Sequence, residues 1–322
     1  GFIEYWHLLV ASIAWGIARS AMMPARNALT FDIVGRGNIL NAETLNFLAI
    51  NISQLLGPIA AGFILDIWGP GPFFIVMGIT YLAGTAILLG VSVPRVSTRT
   101  TQLGWRALSA GFSFAFQDRE TRTVVWVVLV TELLGFAVLA LLPAANRELL
   151  NGDARMLGLL SGTFGLGGLT ATLTITAIGG VRSRAWVLMG ASAMMGVSII
   201  AFSQSDTFLL SLPFIFLAGV SGTTYDVMNG TLFQTLTPEH IRGRVLGVRS
   251  MLMSGSQVGS GVIGGSAERL GLSLALLIAG TSIAVNALRV IPAARTINMR
   301  SNLDLSEGIP SGQLSHDHIT SD

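Results

Sequence analysis

The sequence has little charge for its length, with only 11% Asp, Glu, Lys and Arg among 322 residues. A soluble domain carries about 25% charged residues. Hydrophobic residues make up 51% of the chain, and its mean hydropathy is +0.67. Because so few polar side chains cannot cover a water-soluble fold of this size, the composition predicts a protein that crosses the lipid bilayer several times.

The chain also lacks lysine and cysteine: all 19 basic residues are arginine. Without lysine there is no P-loop and no Schiff-base chemistry. Without cysteine there are no disulfides, thiolate metal sites or iron–sulfur clusters. Of the four histidines, His316 and His318 lie in a polar tail that we expect to be solvated. The net charge of +2 is too small to indicate nucleic-acid binding, so we expect no cofactor, no metal and no nucleic-acid partner.

Nine stretches are long and apolar enough to cross a bilayer as helices, which takes about 20 residues each. Six of them contain no Asp, Glu or Arg, whereas the other three, at 5–29, 124–145 and 207–234, carry charges inside. The nine predicted transmembrane helices cover residues 5–29, 44–65, 67–94, 124–145, 156–181, 185–205, 207–234, 250–267 and 270–288. The sequence therefore predicts an all-α, multi-pass membrane protein.

Arginine is unevenly distributed between the loops on the two sides of these spans. Thirteen arginines fall on one side, and only Arg147, Arg155 and Arg269 fall on the other. Because short loops rich in arginine stay in the cytoplasm, the arginine-rich side is predicted to be cytoplasmic. This orientation places both the segment 94–122 and the C-terminus in the cytoplasm.

Two polar segments lie outside the predicted spans. The segment 94–122 carries apolar residues on one helical face, which predicts a helix lying on the inner leaflet of the membrane. The residues of that face are Trp105, Leu108, Phe112 and Phe116. Residues 301–322 are polar without a periodic pattern, and we expect them to form a disordered tail.

The sequence contains a weak internal repeat. A shift of 202 residues aligns two stretches without a gap and places Asn27 on Asn229 and the span 5–32 on 207–234. Parallel repeats of this kind build two-halved transporters. Three helices of the second copy have no counterpart in the first, so we expect an N-terminally truncated protein with roughly 90 residues missing before Gly1.

Three short motifs lie ahead of a predicted cytoplasmic loop, just before and within the next span, and in the loop before the span 250–267. They are Pro24-Ala25-Arg26-Asn27-Ala28-Leu29, Asn41-Ala42 followed by Gly57-Pro58-Ile59-Ala60-Ala61-Gly62, and Thr237-Pro238-Glu239-His240-Ile241-Arg242-Gly243-Arg244-Val245. With these motifs, residues 5–295 resemble the major facilitator superfamily, and more narrowly its exporters of the enterobactin-exporter and macrolide-efflux type, which are transmembrane secretion effectors.

The resemblance implies a major facilitator fold that lacks helices 1–3 and retains nine transmembrane helices, 4–12. The domains are then the rest of the N-terminal half at 1–93, a cytoplasmic linker at 94–122, a six-helix C-terminal half at 123–300 and the tail at 301–322. In the superfamily the Gly-Pro pattern of the fifth helix is associated with antiporters. Gate or motif roles are implied for Gly57, Pro58, Gly62, Arg242, Gly243 and Arg244.

Four ionisable residues lie inside predicted spans: Arg19, Arg26, Glu132 and Asp226. A charge at the membrane centre costs about 2.5–3.5 kcal/mol on insertion scales, so such residues usually face a cavity or the interior of a bundle. In the resembled fold helices 4, 7 and 10 line the central cavity, and all four charges fall on those helices. Asn229 lies on the same helical face as Asp226.

We consider two roles for these charges. In the first, Glu132 or Asp226 takes up and releases a coupling proton as the cavity alternates between wet and dry states. In the second, the two acids form structural ion pairs with Arg19 and Arg26. Substrate contact is a further role for the same side chains.

Glycine is concentrated in three of the predicted spans. Small residues let helix backbones approach closely, so close helix packing is the expected role of these glycines. They are Gly57, Gly62, Gly162, Gly165, Gly167, Gly168, Gly255, Gly259, Gly261, Gly264 and Gly265.

The sequence as a whole predicts a secondary active transporter of the bacterial inner membrane. It is expected to act as a monomer and to export an amphipathic small molecule, drug-like or siderophore-like, with the proton as coupling ion. Two alternatives stay open, namely an ion-coupled importer of a polar nutrient and an inactive fragment of such a transporter. We see no cluster of histidines or paired acids at one membrane face, so we do not expect an enzyme.

Overall fold

The computed structural model describes residues 49–90, 112–113, 115–178, 183–237 and 242–307, together with Val10, and these residues form helices joined by short turns. The longer helices are α1 (Ala49–Trp68), α2 (Pro70–Leu89), α3 (Arg119–Glu148), α4 (Ala154–Ile178), α5 (Arg184–Ser203), α6 (Phe208–Thr235), α7 (Arg242–Met253), α8 (Gly255–Leu270) and α9 (Leu272–Glu307). No strand occurs in these ranges, as predicted for an all-α protein.

Seven helices in the described ranges are long and apolar enough to cross a membrane, namely α1 to α6 and the part Leu272–Met299 of α9. Each matches a predicted span. The span predicted at 5–29 lies outside the described residues. The span predicted at 250–267 is not one continuous helix, because the chain turns at Ser254 between α7 and α8. Since α8 has 16 residues, it reaches about 24 Å, less than the hydrocarbon thickness. The count of nine and the three missing helices therefore stay predictions.

The contacts divide the chain into two compact units. One consists of Gly1–Ile50 with Phe74–Thr101, and the other consists of Asn51–Phe73 with Gln102–Asp322. The first unit contains α2 from Phe74 onward, and this helix has no buried residue. In the second unit, α1 packs along α4.

The start of α3 differs from the predicted span. Asp118 caps the helix, because its carboxylate accepts hydrogen bonds from the backbone N–H of Thr121 at 3.0 Å and from the Thr121 hydroxyl at 2.6 Å. The helix therefore begins within the predicted linker. Phe112 and Phe116 stack with their ring centroids 6.2 Å apart, on one helical face as predicted, whereas Trp105 and Leu108 lie outside the described residues.

The core of the second unit lies where α3, α5, α6, α7 and α9 meet. Val125 and Val128 of α3, Leu188 of α5, Leu232 of α6 and Ile297 of α9 have no exposed surface. Helix α9 continues to Glu307, so the first seven residues of the predicted disordered tail are helical instead, and residues 308–322 lie outside the described part.

Glycines account for the closest helix contacts, but not all those named above take part. A Cβ added to Gly62, Gly162, Gly165, Gly167, Gly168 or Gly259 would approach a neighbouring helix too closely. In contrast, a Cβ at Gly57, Gly261 or Gly265 would meet no atom within 4 Å. Close packing is therefore confirmed for the first group, whereas a Cβ at Gly255 or Gly264 would meet its neighbours at an ordinary contact distance of 3.9 or 3.7 Å.

Candidate functional site

The middle of α3 is a π-helical turn, Thr131–Phe136, which contains Glu132. The N–H of Thr131 points to the carbonyls of both Val127 and Val128, where regular α-helical bonding gives way. The Thr131 hydroxyl lies 2.7 Å from the Ser192 hydroxyl of α5 and fixes the start of the turn. Such π-turns widen a helix by one residue and are frequent at functional sites.

Glu132 is only 3% exposed, although it is an acid near the middle of a 30-residue span. Gly255 of α8 lies beside it, where an added Cβ would be 3.9 Å from the Glu132 Cβ. Gly259, one turn further along α8, faces the Leu133 carbonyl so closely that no side chain fits between them. The two helices therefore pack backbone to backbone around the acid.

Tyr225 of α6 reaches Glu132 from the other side. Its hydroxyl lies 3.4 Å from Glu132 Oε1 and 3.4 Å from the Val128 carbonyl oxygen, and it can donate its proton to either. The Tyr225 side chain is fully buried, and its ring lies 5.9 Å from that of Phe136, measured between centroids. The acid thus has one buried neutral donor within hydrogen-bonding distance.

Further along α6 lie Asp226 and Asn229. Asp226 Oδ1 and both side-chain polar atoms of Asn229 are buried and form no hydrogen bond with any residue that the structure describes. The Nε atom of Arg249, on α7, is also buried and has no hydrogen-bond partner among the described residues. The Arg249 guanidinium packs over Gly230 of α6, where an added Cβ would lie 3.5 Å from Nη2. Buried polar atoms are usually paired, so we expect these atoms to bind a polar group that lies outside the described residues.

The charges of these residues act on one another. Asp226 and Arg249 both act electrostatically on Glu132, with opposite signs, and Arg249 acts on Asp226. We call Glu132, Tyr225, Asp226, Asn229 and Arg249 the polar cluster. It joins α3, α6 and α7 within the second unit.

The structure brings together three of the residues singled out in the sequence: Glu132, Asp226 and Asn229. Arg19 and Arg26, the predicted counter-charges, lie outside the described residues. Two members of the cluster, Tyr225 and Arg249, were not predicted.

The motif residues are placed as follows. Gly57 is exposed, Pro58 is half-buried, and Gly62 is buried against Ala154 and Gly158 of α4. Arg242 and Gly243 were predicted in a loop, but α7 begins at Arg242, and Arg244 is an exposed residue of this helix.

Replacing Arg249 with Gln is expected to destabilise the protein, because Asp226 loses the arginine that acts on it while one of its oxygens stays buried. We expect a loss of about 1–3 kcal/mol of unfolding free energy. The double variant Asp226→Asn/Arg249→Gln should recover most of this loss. Unfolding in detergent measures the effect, and Arg244→Gln on the same helix should change nothing. A fully additive double variant would show that the two residues do not interact.

A family model described as transmembrane secretion effector matches residues 1–317 of the chain. Staphyloferrin A transporter of Staphylococcus aureus is 21% identical over 280 residues, which is 85% of this chain and 69% of that protein. Macrolide efflux protein A of Streptococcus pyogenes is 22% identical over 288 residues, 87% of this chain and 71% of that protein. Enterobactin exporter EntS of Shigella flexneri is 25% identical over 263 residues, 78% and 59% of the two chains.

Solved structures with a similar fold are also transporters. A POT family transporter crystallised with 5-aminolevulinic acid superposes with a TM-score of 0.55 at 11% identity, over 82% of this chain and 70% of the other. A bacterial homologue of the human lysosomal transporter Spinster superposes with a TM-score of 0.52 at 13% identity, over 88% and 75% of the two chains. At these identities the likeness extends to the fold alone.

Proposed function

The chain belongs to the transmembrane secretion effector family of the major facilitator superfamily, and from this we propose that it exports an amphipathic small molecule in exchange for protons. Its relatives are named as transporters or exporters of staphyloferrin A, macrolides and enterobactin. These names support export as the direction and a mid-sized amphipathic solute as the cargo. The bacterial sources of the relatives support the inner membrane as the location.

The observation that carries the proton coupling is the burial of Glu132 in the middle of α3. An ionised carboxylate is expensive to keep in apolar surroundings, whereas the protonated acid is neutral. Movement of the acid between water and the bundle interior is therefore linked to proton uptake and release. We assign the coupling proton to Glu132.

Tyr225 supplies the response of the protein to that proton. When Glu132 is ionised, its carboxylate is the stronger acceptor and takes the Tyr225 hydroxyl proton. When Glu132 is protonated, the hydroxyl can turn to the Val128 carbonyl instead. The change of partner alters the hydrogen bonding at the start of the π-helical turn, next to the contact with α8.

We assign solute binding to the buried polar atoms of Asp226 and Asn229, which have no partner among the described residues, while Arg249 limits the net negative charge. Exchange requires that solute and proton oppose each other in binding. One negative charge is removed from the polar cluster when Glu132 binds a proton, so the electrostatic field at Asp226 differs between the two states. This difference couples the proton to the solute without direct contact between them.

Transport in everted membrane vesicles tests the proposal. A pH gradient that is acidic inside the vesicles should drive uptake of a fluorescent amphipathic solute into them. A protonophore should abolish this uptake. Uptake that persists with the protonophore would overturn the proton coupling. Accumulation by intact cells instead of by everted vesicles would indicate an importer.

A further inference from the structure

Helices α1 and α4 are in backbone contact at their glycines. A Cβ added to Gly62 would lie 2.7 Å from the Ala154 carbonyl oxygen and 2.9 Å from the Gly158 Cα. A Cβ added to Gly158 would lie 2.5 Å from the Pro58 carbonyl oxygen. No side chain fits at either position, and the attraction between the helices at this point is van der Waals contact of backbone atoms.

The contact continues along both helices, which run antiparallel. Gly165 of α4 lies against the backbone of Gln54, where an added Cβ would be 2.5 Å from the carbonyl oxygen. At one end, Asn51 Nδ2 donates a hydrogen bond of 3.3 Å to Thr172 Oγ1. From Asn51 to Asp66 the two helices are thus joined over about 22 Å, most of the hydrocarbon thickness. We call this contact the α1–α4 seam.

An ion pair closes the other end of the seam. Arg155 Nη2 donates a hydrogen bond of 2.7 Å to Asp66 Oδ2, and the Arg155 guanidinium carbon lies 4.9 Å from the ring centroid of Phe63. The side chains of Arg155 and Asp66 are 44% and 29% exposed, so water reaches the pair. On the orientation predicted from the arginine bias, this end of the seam faces the outside of the cell.

Each of the two charges stands at the helix end that disfavours it. Asp66 lies in the last turn of α1, where the helix dipole favours a cation, and Arg155 lies in the first turn of α4, where the dipole favours an anion. Neither charge is explained by its own helix. Together they neutralise each other across the seam, so the pairing itself is what these two residues contribute.

We propose that the Asp66–Arg155 ion pair is the releasable latch of the extracellular gate, and that the glycine contacts of the α1–α4 seam are the surfaces that separate when this gate opens. The proposal rests on the transport function proposed above. A hydrated ion pair contributes little net stability, because water replaces the partner when the pair breaks. A hydrated ion pair of this kind holds the gate closed but still allows it to open. A buried ion pair would prevent opening, because breaking it leaves uncompensated buried charges.

The absence of cysteine from the chain allows a direct test. In the double variant Asp66→Cys/Arg155→Cys, a bifunctional methanethiosulfonate reagent should join the two helices. Transport should stop on cross-linking and return on reduction. The single variants Asp66→Cys and Arg155→Cys, treated in the same way, should keep their transport. Transport that continues in the cross-linked protein would overturn the proposal.

A second measurement does not depend on transport. Ile59 packs against Gly162 in the seam, and the variant Ile59→Cys reports its opening through labelling by a membrane-impermeant maleimide. Adding Asp66→Arg should accelerate labelling about threefold to fivefold, because two arginines then repel each other. The exchanged pair Asp66→Arg/Arg155→Asp should restore the slow rate. Glu268→Arg, at the exposed end of α8, is the matched control and should leave the rate unchanged.

The two measurements separate the two proposals. If the unmodified protein exports nothing while labelling responds to the charge exchange as expected, the transport function is wrong and the latch stands as a structural contact that opens. If export is normal and labelling ignores Asp66→Arg, the latch is wrong and the transport function stands.

Discussion

Replacing Glu132 with Gln should abolish proton-driven transport while the protein stays folded in the membrane. Gln has nearly the shape of Glu and keeps an oxygen that can accept the Tyr225 hydroxyl proton, so the packing around α8 is preserved. It cannot bind and release a proton. We expect gradient-driven uptake into everted vesicles to fall to the level of vesicles without the protein.

Glu148→Gln is the matched control. Glu148 is the last residue of the same helix and is exposed, so its neutralisation removes an equal charge from α3 without touching the polar cluster. We expect normal transport in this variant. The amounts of both variants in the membrane and their unfolding temperatures separate lost function from lost protein. Normal proton-driven transport by a well-folded Glu132→Gln variant would remove the proposed role of this acid.

Exchange of bound solute offers a finer distinction for the same variant. A transporter that cannot bind and release the coupling proton can still exchange labelled for unlabelled solute across the membrane, because this exchange needs no net proton movement. If Glu132→Gln retains exchange and loses only gradient-driven uptake, the defect lies in coupling. Loss of both activities with retained folding would place Glu132 in solute binding instead.

Part of the polar cluster was predictable from the cost of charge in a membrane. Glu132 and Asp226 stand out because each interrupts an apolar span, and Asn229 follows from helical spacing. The same spacing places Tyr225 on that face, four residues before Asn229, so the signal for Tyr225 was present. The cost of charge does not single out Tyr225, because its side chain is neutral.

Arg249 was missed for a different reason. A span is recognised by the absence of charge, so the predicted span begins at Ser250 and leaves Arg249 just outside it. In the structure α7 begins at Arg242 and carries Arg249 to the side of α6. Charged residues mark the edge of the hydrocarbon layer of the membrane, but a helix can continue beyond that edge. The early start of α3 and the extension of α9 to Glu307 have the same origin.

The pattern of hydrophobic and charged residues also does not predict breaks inside helices. The run 250–267 is free of charge and reads as one span, yet it turns at Ser254. Hydropathy does not register that Ser254-Gly255-Ser256 are weak helix formers. The π-helical turn of α3 had no signal in composition either, because its geometry depends on contacts with α5 and α8 that are distant in sequence.

Replacing Gly259 with Ala is expected to be the most damaging small substitution in the described part of α8. The added methyl group would overlap the Leu133 carbonyl and come within 3.1 Å of the Ala137 Cβ. Because the obstacle on α3 is backbone rather than a flexible side chain, the two helices must separate. Overpacking of this kind costs about 1–3 kcal/mol, and we expect the upper end of that range. The change would also shift the π-helical turn that holds Glu132.

Gly261→Ala is the control, because a Cβ at Gly261 meets no atom within 4 Å and alanine favours a helix more than glycine does. We expect this variant to be as stable as the parent or slightly more stable, whereas Gly259→Ala should unfold at a lower temperature in detergent. Both variants make the same Gly-to-Ala change in the same helix, and they differ only in the atoms that the added methyl group meets. Equal unfolding temperatures for the two variants would contradict the backbone contact between α8 and the π-helical turn. In that case α8 would not hold Glu132 in place. A loss of transport in the variant Glu132→Gln could then not be explained by an acid that is fixed between α3, α6 and α8.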